Sequence, residues 1–288
     1  MPAHDSALPA SSTFSTWMVH MNRKRSIVCV GAALLVYLPW QAQAQVFHSV
    51  QTPNLPTAET LDKGTWLFEI SHRFLLPVKD GAGALWGLDG GANIRLGLTY
   101  AVTDYAMLGV LRTNLEDNLE FNAKFGVYEG GSEALPFKIG AMTGIAFNTD
   151  PSLAEGAEDN ETQFYAQLMI NTLVGGRFAV GVVPTYLRNP RIQDFEKENA
   201  FVLGLQGQFY VSRSFSLLAE WVVSQSRAEA EYDSGTIGIE LETRGHFFKI
   251  VLTNQTKINP TQVLGGAPFK FKPNEWRLGF NITRELPF

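Results

Sequence analysis

Leu119-Glu120-Phe121-Asn122-Ala123-Lys124-Phe125-Gly126-Val127-Tyr128 decides the fold. Leu119, Phe121, Ala123, Phe125 and Val127 fall on one parity, and Glu120, Asn122, Lys124 and Gly126 on the other. Successive side chains of a strand point to opposite faces, so the stretch predicts a strand with one apolar and one polar face. Two further stretches repeat the pattern. Ala92, Ile94, Leu96, Leu98 and Tyr100 oppose Asn93, Arg95, Gly97 and Thr99. Trp276, Leu278, Phe280 and Ile282 oppose Arg277, Gly279, Asn281 and Thr283.

Working outward from these segments, period-two alternation predicts strands near 65–74, 92–100, 105–113, 119–128, 137–147, 162–173, 178–187, 200–210, 215–225, 234–243, 246–254 and 275–284. The count is about twelve, within a range of ten to fourteen. The third strand alternates poorly, and Thr261 to Leu264 has room for a short extra piece. Most of the strands approach the roughly 9 to 11 residues that a tilted strand needs to cross a bilayer.

The connections alternate in length. Short turns fall at Ala101–Asp104, Glu129–Pro136, Val174–Arg177, Val211–Ser214 and Arg244–Gly245. The other connections lie at 75–91, 114–118, 148–161, 188–199, 226–233 and 255–274, and only the second of these is brief. A membrane barrel with both termini in the periplasm has this asymmetry, with tight inner turns and longer outer loops. In lipid every backbone N–H and C=O must be paired, so such a sheet has to close. The fold class expected is all-β: a closed antiparallel transmembrane β-barrel. A soluble sandwich or lipocalin-like barrel is the competing class, but the polar faces count against it.

Composition agrees. The chain has 288 residues, 26 glycines, 34 aromatics and only 18% charged residues, a mixture suited to strands and turns. The apolar fraction of 45% is too high for disorder. No basic run lies beyond the N-terminus, which disfavours a nucleic-acid partner. The longest uncharged apolar run, Ile27 to Leu38, is too short for a membrane-spanning helix, which takes roughly 20 residues.

That run follows Arg23-Lys24-Arg25 and precedes Ala42-Gln43-Ala44. A basic region, a short apolar region and an A-x-A site predict a secretory signal peptide cut after Ala44. Residues 1–20 fit no part of it, so Met21 is a candidate true start. Cys29, the sole cysteine, lies in the apolar region, and the expected mature chain has none. Cleavage also removes Arg23, Lys24, Arg25 and Asp5, leaving 20 basic against 27 acidic groups, a net charge of -7. The expected organisation is a leader over 1–44, a periplasmic segment over 45–64 and a barrel over 65–288. The expected location is the bacterial outer membrane.

Three stretches carry a family resemblance: Thr57-Ala58-Glu59-Thr60-Leu61, Ile70-Ser71-His72-Arg73-Phe74 and Gly87-Leu88-Asp89-Gly90-Gly91-Ala92-Asn93-Ile94-Arg95-Leu96. They resemble a bacterial β-barrel family of unknown function, over most of the mature chain. The resemblance implies a fold and no biochemical role. Trp276, Phe280 and Phe288, aromatic residues of one parity at the chain end, resemble the signal that outer-membrane barrels present to their assembly machinery.

Chemistry is sparse. The mature chain keeps His48, His72 and His246. Ser71 and His72 are adjacent on a strand and face opposite ways, so they cannot pair. His72 shares parity with Trp66, Phe68, Ile70 and Phe74, which suits an aromatic belt. No metal-ligand or phosphate-loop spacing occurs, and no cofactor is expected. The loop 148–161 holds Asp150, Glu155, Glu158, Asp159 and Glu161 without a base. It reads as a solvated acidic loop, with cation bridging to lipopolysaccharide as the sharper alternative.

The polar face is the functional lead. If the apolar faces meet lipid, the lumen receives Arg73, Arg95, Arg112, Lys124, Lys138, Lys249 and Arg277, together with Glu69, Glu120, Glu220, Glu240 and Glu242. The bases cluster on the last two and first five strands; Glu220, Glu240 and Glu242 face them from the ninth and tenth. Opposed charged walls suit a passive channel for small polar or charged solutes. The alternatives are a structural or surface-interaction barrel with a plugged lumen, in which Glu69 pairs with Arg95 and Arg112 with Glu120, and a barrel hydrolase. Partners expected are membrane lipid, lipopolysaccharide and the assembly machinery.

Overall fold

The computed structural model describes residues 45–132, 134–150, 161–192, 198–225 and 231–287. Twelve strands follow in chain order: β1 (Trp66–Phe74), β2 (Ala92–Thr103), β3 (Ala106–Thr113), β4 (Asn118–Ser132), β5 (Leu135–Asn148), β6 (Glu161–Val174), β7 (Phe178–Arg188), β8 (Asn199–Tyr210), β9 (Phe215–Ser224), β10 (Ser234–Glu242), β11 (His246–Thr253) and β12 (Arg277–Leu286). Each pairs antiparallel with its sequence neighbours, and β1 pairs with β12 from Trp66↔Leu286 to Arg73↔Gly279, closing the barrel.

Closure satisfies the row of backbone groups that an open edge would leave bare. The alternation sorts the side chains as the sequence predicts. Phe121, Phe125, Leu96, Leu98, Leu203 and Leu217 point outward and are exposed, whereas Glu120, Lys124 and Arg95 are buried inside. The tight connections have a local cause. At the β10–β11 turn, Arg244 and Gly245 both take positive φ (49° and 84°), and Thr243 and His246 exchange two backbone hydrogen bonds across it. That backbone matches the twist of the flanking strands. Gly175 and Gly176 (φ 59° and 66°) serve the same purpose between β6 and β7.

The interior is solid. Residues 45–64, expected in the periplasm, enter the lumen instead. The segment is anchored at the short-turn end, where Lys63 N–H and Thr60 Oγ1 donate to Asp104 (2.8 and 2.7 Å) and Gly64 N–H donates to Ala101. It rises to a tip at Pro53–Leu55, held by Thr52 N–H to Leu55 O and a Gln51↔Pro56 bridge. It then descends to Val46 and Phe47, which pack on Leu173 and Ala179 beside the β6–β7 turn. We call it the hairpin.

From the other end the β11–β12 connection folds in. It carries α1 (Pro260–Leu264), five residues that are all buried. Pro260 stands at the start, where its fixed φ suits a helix and its missing N–H costs nothing. Thr261 to Leu264 is therefore a helix within the lumen, not an extra strand. The two fillings meet where Leu264 joins the hairpin's Leu55 among Tyr165, Leu187, Val202 and Val222.

Candidate lumen site

Glu220 on β9 is the centre of the site. Its carboxylate accepts from the Asn54 N–H (2.9 Å), the Leu55 N–H (3.0 Å), the Asn54 side-chain amide (2.7 Å) and the Thr52 hydroxyl. Every one of these donors belongs to the hairpin tip. Across the lumen, Arg73 donates to Pro53 O (3.2 Å) and Asn54 Oδ1 (2.9 Å), and also to Asn281 on β12 (2.8 Å). The hairpin tip is thus clamped between an acid on β9 and a base on β1.

The other lumen charges meet the descending and ascending arms. Lys124 Nζ donates to Val50 O at 2.8 Å. Lys138 lies 2.7 Å from Glu59 of the hairpin and 2.9 Å from Glu129 of the wall. Glu59 in turn accepts the Val46 and Phe47 N–H groups, tying the two arms together. Lys249 donates to Ser49 Oγ (2.9 Å) and sits 3.3 Å from Glu240, which also lies 3.1 Å from His48 Nδ1. Buried charges persist only when paired and hydrogen-bonded, and here the hairpin supplies most of the partners.

Arg95 and Glu69 form the expected pair on β2 and β1, and Arg95 also donates to Ile258 O of the inward-folding connection (2.6 Å). Asn93 donates to Thr256 O, and Asn259 donates to Asn118, so that connection is pinned to the wall as well. Beyond the strands, Gln262 Nε2 donates to Glu116 at 3.1 Å, and burial pushes the Glu116 carboxyl above its ordinary range. A remaining cavity of about 50 Å³ lies between hairpin and wall beside Val50, Glu69, Arg95, Lys124, Met142 and Pro260.

Several expectations need correction. Arg112 points outward and does not meet Glu120; its guanidinium lies 2.6 Å from Asp117 beyond the strand end. Inside parity on β3 belongs to Met107 and Leu111, both buried, and Met107 packs with Val50 and Leu61 of the hairpin. Glu120 accepts instead from Tyr165 Oη (2.8 Å). Glu242 is half-buried at the short-turn rim, accepting from Gly245 N–H. Arg277 is buried at the opposite rim, over the Phe269 ring and bonded to Leu75 O. Trp276 precedes β12, next to Phe271, so the last strand starts later than its alternation suggests. Phe280 faces outward and stacks on His72 (centroids 4.5 Å), with Phe74 alongside. Phe288, the leader over 1–44 and Glu155, Glu158 and Asp159 lie outside the described residues.

The Arg112–Asp117 pair is solvated, with side chains 43% and 45% exposed. Replacing Arg112 with Ala is expected to change stability by less than about 1 kcal/mol. Thermal unfolding in detergent checks this, and a larger loss would return Arg112 to a structural role.

The residues missed by sequence reading are those of the hairpin: His48, Ser49, Thr52, Asn54 and Glu59. One signal was available. Val46, Phe47, Val50, Leu55 and Leu61 are too many apolar side chains for a short solvated linker, and all five are buried.

A closed twelve-stranded barrel with a filled, charged lumen defines the class. The chain belongs to the family described as membrane bound beta barrel domain (DUF5777), whose model matches residues 47–286. The matched span covers the hairpin together with the barrel. Among solved structures the chain is similar to the NanC porin (8% identity, TM-score 0.46, covering 75% of this chain and 97% of that one). It is also similar to outer membrane phospholipase A from Escherichia coli (12%, TM-score 0.42, 78% and 91%) and to LpxR from Salmonella typhimurium (10%, TM-score 0.35, 78% and 100%). No curated protein matches it.

Proposed function

We propose that this protein is a bacterial outer-membrane barrel that is closed at rest, an interaction barrel whose lumen is occupied by its own N-terminal hairpin. One observation carries the reading: Glu220, Arg73, Lys124, Lys138 and Lys249, the charges that would line a pore, bond to residues 49–59. They are engaged with protein. The cavity beside them, about 50 Å³, has room for a few waters and is far below the roughly 300 Å³ of small-molecule sites. A permanently open passive channel would need the hairpin elsewhere.

The outer-membrane assignment draws support from the signal-like leader, the outward apolar faces and the family. The short-turn end, where the hairpin enters, is then periplasmic, and α1 closes the outer side. A hydrolase would need a serine at a histidine. His48 contacts Glu240 and Tyr210, His72 stacks on Phe280, and His246 lies at Thr243 O.

Reconstituted in a planar bilayer, the intact protein is expected to hold conductance near the bare-membrane level. A steady ohmic conductance from the intact chain would overturn the reading and restore the passive channel.

A further inference from the structure

Besides gripping its side chains, the wall meets the hairpin's backbone along its length. Tyr210 Oη donates to Val46 O (2.5 Å), and Gln208 Oε1 accepts the His48 N–H (3.2 Å). Lys124 donates to Val50 O, and Arg73 and Asn281 both donate to Pro53 O. Glu220 accepts the Asn54 and Leu55 N–H groups, Gln206 Nε2 donates to Pro56 O (2.9 Å), and Asn171 Oδ1 accepts the Ala58 N–H (2.5 Å). These eight wall residues come from six strands, and they reach backbone atoms at intervals along residues 46–58.

Room for the hairpin is built in as well. A Cβ added at Gly140 would sit 3.2 Å from Ala58 Cα, and one at Gly204 would sit 2.9 Å from a Leu55 methyl. Both glycines keep the wall low where the hairpin crosses it.

Backbone groups are common to every polypeptide. When main-chain hydrogen bonds supply the affinity, specificity falls to the side chains that enter pockets. Here they are Val46, Phe47, Val50 and Leu55 in apolar clusters. His48, Ser49, Thr52, Asn54 and Glu59 meet polar wall partners, so an incoming segment must present a similar pattern. We propose that the lumen wall is a binding site for extended polypeptide, that the hairpin is its resident occupant, and that a peptide segment from another chain can take the hairpin's place. The proposal rests on the closed-barrel reading and names the partner class of the same site. The tether makes the hairpin a strong competitor, because a short link holds it at a millimolar-scale effective concentration. Exchange therefore requires that the hairpin be released.

The test uses the full chain, folded before it is cut. Asp62 and Lys63 are exposed at the hairpin's exit. A recognition sequence for a specific protease inserted between Lys63 and Gly64 lets the hairpin be severed in the assembled barrel. Limited trypsin cleavage at Lys63 serves if the insertion variant does not fold. Fluorescence anisotropy then follows entry of labelled peptides of residues 45–63. The first is native, and the second has Gln45, Gln51 and Asp62, which are not buried, replaced by Ala. The third keeps all side chains but carries an ester in place of the amide at Leu55 and Ala58.

The second peptide is expected to bind within about tenfold of the native one. The ester peptide is expected to lose tenfold to a hundredfold, the scale of removing two buried hydrogen bonds of which one ends on a carboxylate. The opposite ranking, with the ester peptide tolerated and the side-chain variant excluded, would overturn backbone recognition. Failure of every peptide to exchange, while the uncut protein stays silent in bilayers, would overturn the exchangeable site and leave the closed barrel standing. A conducting uncut protein would instead remove the reading on which the site rests.

Discussion

Replacing Glu220 with Ala is expected to free the hairpin from its seat in the lumen, while α1 still closes the outer side. Among the described residues the carboxylate is the only wall group that the Asn54 and Leu55 N–H groups meet, and it also takes the Thr52 hydroxyl and the Asn54 amide. Without it two buried backbone donors lose their acceptor, at about 1 to 3 kcal/mol each. A combined loss of about 3 to 5 kcal/mol shifts the ratio of withdrawn to seated hairpin by two to three orders of magnitude, since about 1.4 kcal/mol is tenfold. The strand ladder does not depend on this side chain, so the barrel stays folded. Hydrogen exchange at Asn54 and Leu55 reports the hairpin directly, and single-channel recording gives any conductance that passes α1. Glu220→Gln keeps one acceptor oxygen and is expected to fall between the two. If Glu220→Ala leaves both conductance and exchange protection unchanged, the hairpin is held by its apolar contacts with the wall.

The second large effect concerns the wall. Arg95→Met is expected to destabilise the protein by about 3 to 5 kcal/mol, the usual result of removing one partner from a buried ion pair. Arg95 and Glu69 are both buried, and Arg95 further holds the Ile258 carbonyl of the connection that carries α1. The substitution leaves Glu69 with Ser71 and Asn281 as donors and no cation in contact. The double variant Arg95→Met, Glu69→Leu removes both charges and is expected to recover a large part of the loss. Thermal unfolding of the four proteins in detergent completes the cycle. A double variant no more stable than Arg95→Met alone would mean that Arg95 acts through Ile258 and not through Glu69.

The barrel was legible in the sequence because alternation is a property of each strand by itself. The stretch around Phe121 to Phe125 shows its two faces without reference to anything else, and the twelve observed strands follow such stretches closely. The lumen's contents were less legible because they depend on what fills it. On β3 the inward residues Met107 and Leu111 are apolar and buried, and Met107 packs on Val50 and Leu61 of the hairpin. Polarity therefore marks the wrong face there, and Arg112 was placed inside. The hairpin has no period to detect. Pro53 and Pro56 break regular structure, and many of its hydrogen bonds go to residues more than a hundred positions away, such as Glu220 and Asn171. Glu69 with Arg95 was legible because neighbouring strands bring the two together, whereas Glu120 with Tyr165 joins residues on non-adjacent strands.

Closure through β1 and β12 also constrains the order of assembly. Trp66 must find Leu286, so the seam can zip only after nearly the whole chain has been delivered, and pairing at such separation is slow. The hairpin, by contrast, sits immediately upstream of β1 and travels with one lip of that seam. A growing sheet can therefore wrap around it, matching each newly arrived polar row to a donor or acceptor already in place. Threading the same segment into a finished ring would first require an empty, charged bore. The protein is in this sense cast around its own mould, with the last strand acting as the clasp.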